Sequence, residues 1–302
     1  MVTHHEQSKV KRRLKNKIIA LFIGVCILLS VTFIIASLIY TKLAEEKVIA
    51  HTKNNLSQAS NYISLLVDQA RETAQYISQK TEVAAFANLK NPTTFEKYMA
   101  LESIRQDIIM MSELDTNIDS IYVYFENAGI ISTSTYGNYL AEVLEDSAVF
   151  RIIQSSNSYI GSLTYINDDL SKKQIVSFMV RGNTYNADIH SNVYLMINFK
   201  EETIYNIIKD INGASRGMPF LLSSDGEVVS GNDKAILGNK FFIDNDKFLK
   251  ASQGYCRLKI QEQDVYAFID TQYSNIFILV YLVPKDDMVI EKEIITVFMI
   301  VI

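Results

Sequence analysis

A stretch of 23 residues without a single charge, Ile18 to Tyr40, constrains this 302-residue chain more than any other feature. About 20 apolar helical residues suffice to cross a hydrocarbon core, whereas the apolar core of a cleaved signal peptide has about 7 to 15. Six basic residues and one acid precede the stretch, and such basic flanks stay in the cytoplasm. The sequence therefore predicts a basic cytoplasmic tail (1–17), an uncleaved transmembrane helix (18–40) and an extracytoplasmic remainder.

The carboxyl end of the sequence is apolar again, in the letters "EIITVFMIVI". The nine residues from Ile294 to Ile302 reach only about 14 Å as a helix, roughly half a bilayer. We interpret residues 289–302 as the start of a truncated second transmembrane helix, which places a cytoplasmic output domain beyond Ile302. A terminal strand or helix packed into the core is the alternative interpretation.

Composition argues against several function classes. The net charge is -5 although the tail is basic, so the outer part is acidic and nucleic acid is not an expected partner. The two cysteines, Cys26 and Cys256, lie in the span and the outer part and cannot pair. The four histidines do not cluster, and no catalytic motif is found. We expect no catalytic residue, metal site or cofactor in these residues.

Helical periodicity follows the apolar stretch. A long stalk helix is predicted within residues 41–90, with a stripe that recurs every three or four residues: Leu56, Ala59, Ile63, Leu66, Ala70, Ala74 and Ile77. The stripe fits an intrachain contact, a dimer seam or a mixture of both. A second helix begins at the T-x-x-E capping box Thr93–Glu96. Its predicted buried face is Phe95, Tyr98, Leu101, Ile104, Ile108 and Met111.

Strand patterns fill the rest of the outer part. In the first module, residues 91–215, "SIYVYFENAGIISTS" predicts a hairpin, "YLAEVLEDSAVFRIIQ" a short helix, and "QIVSFMV" and "VYLMINF" two strands before another helix. The turn-rich "NGASRG" marks the boundary. The second module, residues 216–288, carries five strand-like runs and one small helical patch near residues 246–251. The fold class is therefore α+β, with helices packed on antiparallel sheets.

This order of elements resembles the double Cache sensors of bacterial transmembrane receptors, whose two modules are PAS-like. The segments "IDSIYVYFENAGIISTS", "NVYLMINFKEETIYNII" and "PFLLSSDGEVVSG" carry the resemblance. It implies a membrane-distal module (91–215) that holds a small molecule, a membrane-proximal module (216–288) and membrane helices that pass the signal inward.

Six residues are candidates for ligand contact. Family members that bind amino acids carry an R-x-W-Y pattern, and the matching place here keeps Arg151 but has Ile153 and Gln154 instead of the aromatic pair. An amino-acid ligand is therefore not implied. A guanidinium can pair with a carboxylate or phosphate, which makes Arg151 and Arg181 candidates, with surface or strand-end positions as the alternative. The other four share strand faces in pairs: Tyr122 with Tyr124, and Ser177 with Met179.

The sequence thus predicts a membrane-bound sensor for signal transduction. Its expected partners are a small solute of unknown identity, the lipid bilayer and a second copy in a homodimer. By resemblance, the cytoplasmic output is a sensor histidine kinase of a two-component system or, as an alternative, an arabinose-regulator type DNA-binding domain. Chemotaxis and cyclic-dinucleotide outputs are further, less favoured alternatives. A membrane-anchored scaffold for protein interactions is the alternative from another class.

Overall fold

A computed structural model describes residues 3–88, 93–135, 137–140, 158–166, 172–182, 193–211, 217–241, 254–260, 263–285 and 287. The predicted second membrane helix, Arg151 and the predicted helical patch near residues 246–251 lie outside the described residues. His51–Lys285 form one compact unit, and the part of the chain up to Ala50 belongs to another.

Helix α1, Thr3–Ser78, runs without interruption through the predicted span and most of the predicted stalk. In the first unit, its apolar stretch is exposed, and none of the residues in its most apolar part is buried. By length and composition this helix could cross a membrane.

The stalk part of α1 buries the predicted stripe within its own chain. Six of its seven residues are buried, and only Leu66 is half-buried, because Val67 takes the inward position instead. Those six positions therefore form an intrachain contact. A dimer seam at those positions would require them to be exposed in the single chain, and they are not.

Two shorter helices follow, α2 at Thr81–Ala87 and α3 at Thr94–Leu114. The predicted capping box is present: the Thr93 hydroxyl accepts from the Glu96 backbone N–H at 3.3 Å, and the Glu96 carboxylate accepts from the Thr93 N–H at 2.9 Å. The hydrogen bonds that the Thr93 backbone N–H and hydroxyl donate to the Glu96 carboxylate lower the pKa of Glu96.

The predicted buried face of α3 is only partly correct. Leu101, Ile104 and Ile108 are buried, but Phe95 and Tyr98 are 72% and 62% exposed. The buried residues lie where α3 packs on α2 and the first strands. Phe95 and Tyr98 lie one or two turns before that region, so their place on the apolar face does not bury them.

The first module contains a six-stranded antiparallel sheet with the strand order β3-β2-β1-β6-β5-β4. The strands are β1 (Ile118–Phe125), β2 (Ile130–Thr133), β3 (Gly137–Leu140), β4 (Ser158–Ile166), β5 (Lys172–Gly182) and β6 (Val193–Lys200). The predicted hairpin and the strands β5 and β6 are confirmed. Strand β4 was not predicted. Tyr139 and Leu140, predicted to start a helix, lie in β3, and the rest of that predicted helix lies outside the described residues.

One face of this sheet, the helix face, packs against the helices. Ile121, Val123 and Phe125 of β1 point to it and are buried, and the Phe125 ring meets Phe86 of α2 edge-on at 4.7 Å. At the end of β5, a side chain on Gly182 would come within 2.9 Å of the Ser78 Cβ. A glycine is therefore required where the end of α1 approaches the sheet.

The second module contains a five-stranded antiparallel sheet with the order β8-β7-β11-β10-β9. Its strands match the five predicted runs: β7 (Met218–Ser223), β8 (Val228–Gly231), β9 (Tyr255–Ile260), β10 (Gln263–Asp270) and β11 (Phe277–Pro284). A buried apolar cluster that includes Phe220, Val228, Phe241 and Val280 lies on one face. A 3-10 turn, Lys234–Ile236, follows β8.

Helix α1 contacts both sheets. The Lys53 ammonium lies 4.7 Å from the centre of the Tyr255 ring of β9, and the Tyr273 hydroxyl donates to Asn61 at 3.2 Å. About five to seven turns later, the same helix approaches Gly182 at Ser78. Helix α4, Glu201–Lys209, follows β6 directly and contacts strands of both sheets.

Candidate functional site

Strand register places the candidate site on the face of the six-stranded sheet opposite the helix face. Tyr122 and Tyr124 of β1 point there because Ile121 and Val123 point to the helices. We call this surface the tyrosine face, formed in its central strands by Ser120, Tyr122 and Tyr124 of β1, Tyr194, Met196 and Asn198 of β6, and Ser177, Met179 and Arg181 of β5.

These nine residues lie in three rows across the sheet. Tyr122 pairs with Met196, which pairs with Met179, so two thioethers lie beside a tyrosine. All three side chains are buried, Met179 and Met196 to 1% exposure and Tyr122 to 8%. The middle row is therefore an apolar, polarisable strip that is covered by the rest of the chain. Thioethers adapt readily to irregular apolar shapes and make favourable contacts with aromatic rings.

The second row is aromatic and cationic. Tyr124 pairs with Tyr194, which pairs with Arg181, and the two tyrosine rings stack at 6.0 Å. Burial, with smaller effects from Glu126 and Tyr194, raises the pKa of Tyr124. Arg181 is half-buried at the end of this row and brings a planar cationic group to the tyrosine face.

The third row is polar and hydrogen-bonded across three strands. The Ser177 hydroxyl donates to the Asn198 side-chain oxygen at 2.6 Å, and the Asn198 amide donates to the Ser120 hydroxyl at 3.0 Å. All three side chains are buried. Buried polar groups need such partners, because an unsatisfied one costs about 1–3 kcal/mol.

The structure brings together five of the six candidate residues. Tyr122, Tyr124, Ser177, Met179 and Arg181 all point to the tyrosine face, which the sequence could show only for each strand separately. Arg151 lies outside the described residues.

Four residues of the tyrosine face were missed from the sequence: Ser120, Tyr194, Met196 and Asn198. Three of them alternate with Val193, Leu195, Ile197 and Phe199 along "VYLMINF". Their period of two was therefore a usable signal, because β6 is a central strand and its polar side had to face a covered surface.

The described part of this face combines apolar and hydrogen-bonding groups. It offers aromatic surface, two thioethers, amide and hydroxyl groups and one guanidinium, the mixture typical of small-molecule pockets. Within the described ranges, no group of three or more His, Cys, Asp or Glu side chains could hold a metal ion. The described face contains no paired acid and base for catalysis.

Comparisons with known proteins place this fold. No family model and no curated protein sequence matches the chain. Among solved structures, the sensory domain of the chemoreceptor Tlp3 of Campylobacter jejuni, with isoleucine bound, matches with a TM-score of 0.51 at 12% identity over 82% of this chain and 97% of that one.

Two other structures give similar matches. The extracellular domain of vpHK1S-Z8, which is named as a histidine kinase, has a TM-score of 0.51 at 12% identity over 82% of this chain and 95% of that one. The ligand-binding domain of Mlp24, with asparagine, has a TM-score of 0.50 at 12% identity over 81% of this chain and 97% of that one. The double Cache resemblance is thereby confirmed for the fold.

Proposed function

We propose that this chain, which has the double Cache fold of bacterial sensor domains, is the sensor region of a transmembrane receptor and binds a small solute on the tyrosine face. One observation carries the proposal. The candidate residues from two separate strands, together with Tyr194 and Met196, form one covered face of the six-stranded sheet. A surface built only for stability does not need a guanidinium, stacked tyrosines and an amide network on a single covered face.

The contacts on this face favour a solute that has an anionic group and an apolar body. Arg181 would pair with a carboxylate or phosphate, and the stacked rings of Tyr124 and Tyr194 lie in the same row. Met179 and Met196 would contact the apolar part. Because related sensor domains hold isoleucine and asparagine, amino acids belong in the test panel.

Membrane anchorage is part of the proposal. The first part of α1 is long, apolar and exposed in its own unit, and basic residues precede it. These features support a helix that crosses the bilayer at residues 18–40, with the amino terminus in the cytoplasm and residues 41–288 outside. Protease shaving of intact cells tests this topology: loss of the outer region is expected, and a fully protected chain would contradict it.

The kind of cytoplasmic output domain is proposed from the resemblance to double Cache receptors. A ligand shifts a receptor only through its different affinities for two arrangements. Helix α1 is suited to transmit a shift between two such arrangements because it contacts both sheets and continues toward the apolar stretch. A sensor histidine kinase is the favoured output, and a DNA-binding regulator is the alternative. The coding sequence after Ile302 distinguishes them, through a phosphoacceptor helix with an ATP-binding domain or a pair of helix-turn-helix motifs.

A homodimer is also proposed, through a surface other than the buried stripe. Tyr62, Leu65 and Tyr76 of α1 are exposed, and they repeat at steps of 3 and 11 residues, which are heptad spacings. This surface equally fits the scaffold alternative, in which a different protein covers it. Light scattering of the purified full chain in detergent distinguishes a two-copy assembly from a monomer.

Thermal-shift screening of residues 42–288 tests solute binding. The panel contains organic acids, sugars, amino acids and purines, and a bound solute stabilises by RT ln(1 + [L]/Kd). Arg181→Ala is expected to abolish the shift of an anionic hit. The control is Arg71→Ala, which removes an arginine that pairs with Asp68 on the surface of α1. No hit from the panel, combined with capture of a partner protein, would favour the scaffold alternative.

A further inference from the structure

A buried carboxylate lies between the two modules. Glu201 is the first residue of α4, immediately after β6, and it is only 3% exposed. The Lys234 ammonium lies 2.7 Å and 2.6 Å from its two oxygens, and the Ser230 hydroxyl donates to it at 2.6 Å. Taking a carboxylate out of water is costly unless it is paired and hydrogen-bonded. Here both oxygens have strong partners.

Every one of these partners belongs to the second module. Ser230 lies in β8, and Lys234 begins the 3-10 turn that follows it. The Lys234 ammonium also donates to the Gly231 carbonyl at 3.0 Å, which fixes it against its own strand. The ion pair therefore joins the end of β6 to the end of β8 and not two parts of one module.

Further contacts surround the ion pair. Tyr205, one turn along α4, places its ring 4.1 Å from the Lys234 ammonium and donates to Asn232 at 2.9 Å. Gln174 of β5 donates to the Lys234 carbonyl at 3.3 Å. Side chains of β5 and α4 thus hold the same short segment of the second module from two sides.

This junction is directly connected to the tyrosine face. Glu201 follows Asn198 by three residues, directly after the end of β6, and Asn198 is the centre of the polar row. Gln174 likewise precedes Ser177 by three residues on β5. A displacement of β5 or β6 at the tyrosine face would therefore reach β8 through side chains that are already bonded.

We propose that Glu201 is a positioning residue that locks the two modules into one rigid body through Lys234 and Ser230. Its part in signalling rests on the proposed sensor function, because a locked junction carries a ligand-induced shift of β6 to the second module. A flexible junction would absorb that shift. The lock itself requires no ligand and can be tested without one.

Pulsed electron-electron double resonance on the full chain in detergent measures how rigidly the two modules are joined. Spin labels are attached at Ser103→Cys on α3 and Asp225→Cys in the turn before β8, both exposed positions, after Cys26→Ser and Cys256→Ala. The labelled chain is diluted into an excess of unlabelled chain, so that distances between the subunits of the proposed homodimer do not contribute. The unmodified junction is then expected to give one narrow distance distribution. Glu201→Gln and, independently, Lys234→Met are expected to broaden that distribution at least twofold.

The matched control is Glu202→Gln, which removes the same charge from the next, exposed residue and should leave the distribution narrow. Loss of stability alone would lower the melting temperature without broadening the distances in the folded protein. Narrow distributions in both junction variants would overturn the lock, even if a solute binds. Broadening in both variants supports the lock even if no solute in the panel binds. Each proposal can therefore be refuted independently of the other.

Discussion

The polar row of the tyrosine face allows a sharp test of the register on which the site depends. The Ser177 hydroxyl donates to Asn198 at 2.6 Å, and both side chains are fully buried. Asn198→Leu keeps the branched shape of the side chain but removes the acceptor, so the Ser177 hydroxyl is left without its partner. The Ser120 hydroxyl loses the hydrogen bond from the Asn198 amide but keeps its own hydrogen bond to Asp119, so it is not left without a partner.

The expected loss of folding stability follows from the number of buried groups that lose a hydrogen-bond partner. One buried donor without its acceptor costs about 1–3 kcal/mol, so Asn198→Leu should destabilise by about that amount. Ser177→Ala should cost a similar amount, since the Asn198 oxygen then loses its donor. The double variant should cost about 1–3 kcal/mol less than the sum of the single variants, because removing both partners leaves neither group unsatisfied.

Urea unfolding of residues 42–288, followed by circular dichroism, measures these differences from the midpoint and slope. Ser132→Ala is the matched control. Ser132 is an equally buried serine on the helix face of the same sheet, and its hydroxyl has no hydrogen-bond partner in the described structure. That variant should be neutral or slightly stabilising. Additive effects of Asn198→Leu and Ser177→Ala would show that the two side chains do not interact and would refute the register.

Three further predictions concern the helices around the sheet. Thr93→Ala removes the capping hydroxyl of α3 and should cost about 1 kcal/mol in urea unfolding, whereas Thr94→Ala, one residue later, should not destabilise. Gly182→Ala places a Cβ within 2.9 Å of the end of α1 and should cost about 1–3 kcal/mol; an unchanged midpoint would contradict that close approach. The Asp107 hydrogen bond, at 2.8 Å, raises the pKa of Lys80, so Asp107→Asn should lower the Lys80 midpoint in an NMR titration. Because the folded pKa is raised, the stabilisation from this pair is full below the unfolded lysine value of about 10.4 and is lost as pH rises through the folded value.

The second module shows how much a sequence can predict when every element is strongly patterned. All five strands were located because runs such as "DVYAFID" and "NIFILVYLV" are rich in β-branched and aromatic residues between clear turns. Strand β4 was missed since Gly161 interrupts its apolar pattern, and β3 was missed since it is a four-residue strand at a sheet edge. Such strands depend on pairing with a neighbour, which a local pattern does not show.

The site was predictable only in part for a related reason. Alternation showed that Tyr122 and Tyr124 share a face, and likewise Ser177 and Met179, but the pairing of β1 and β5 with β6 decided that these faces coincide. Glu201 gave no signal at all. Its role depends on Ser230 and Lys234, about 30 residues away in another module, and a glutamate at the first turn of a helix is ordinarily exposed.

The central claim is that a solute binds on the tyrosine face, and methyl NMR of residues 42–288 labelled at methionine tests it most directly. Met179 and Met196 are 1% exposed on that face, whereas Met110 is 50% exposed on α3 and serves as the internal control. Met→Leu variants assign the signals. When a solute that raises the melting temperature is added, the Met179 and Met196 methyl signals should shift and that of Met110 should not. A stabilising solute that leaves the Met179 and Met196 signals unchanged would place binding elsewhere and contradict the account.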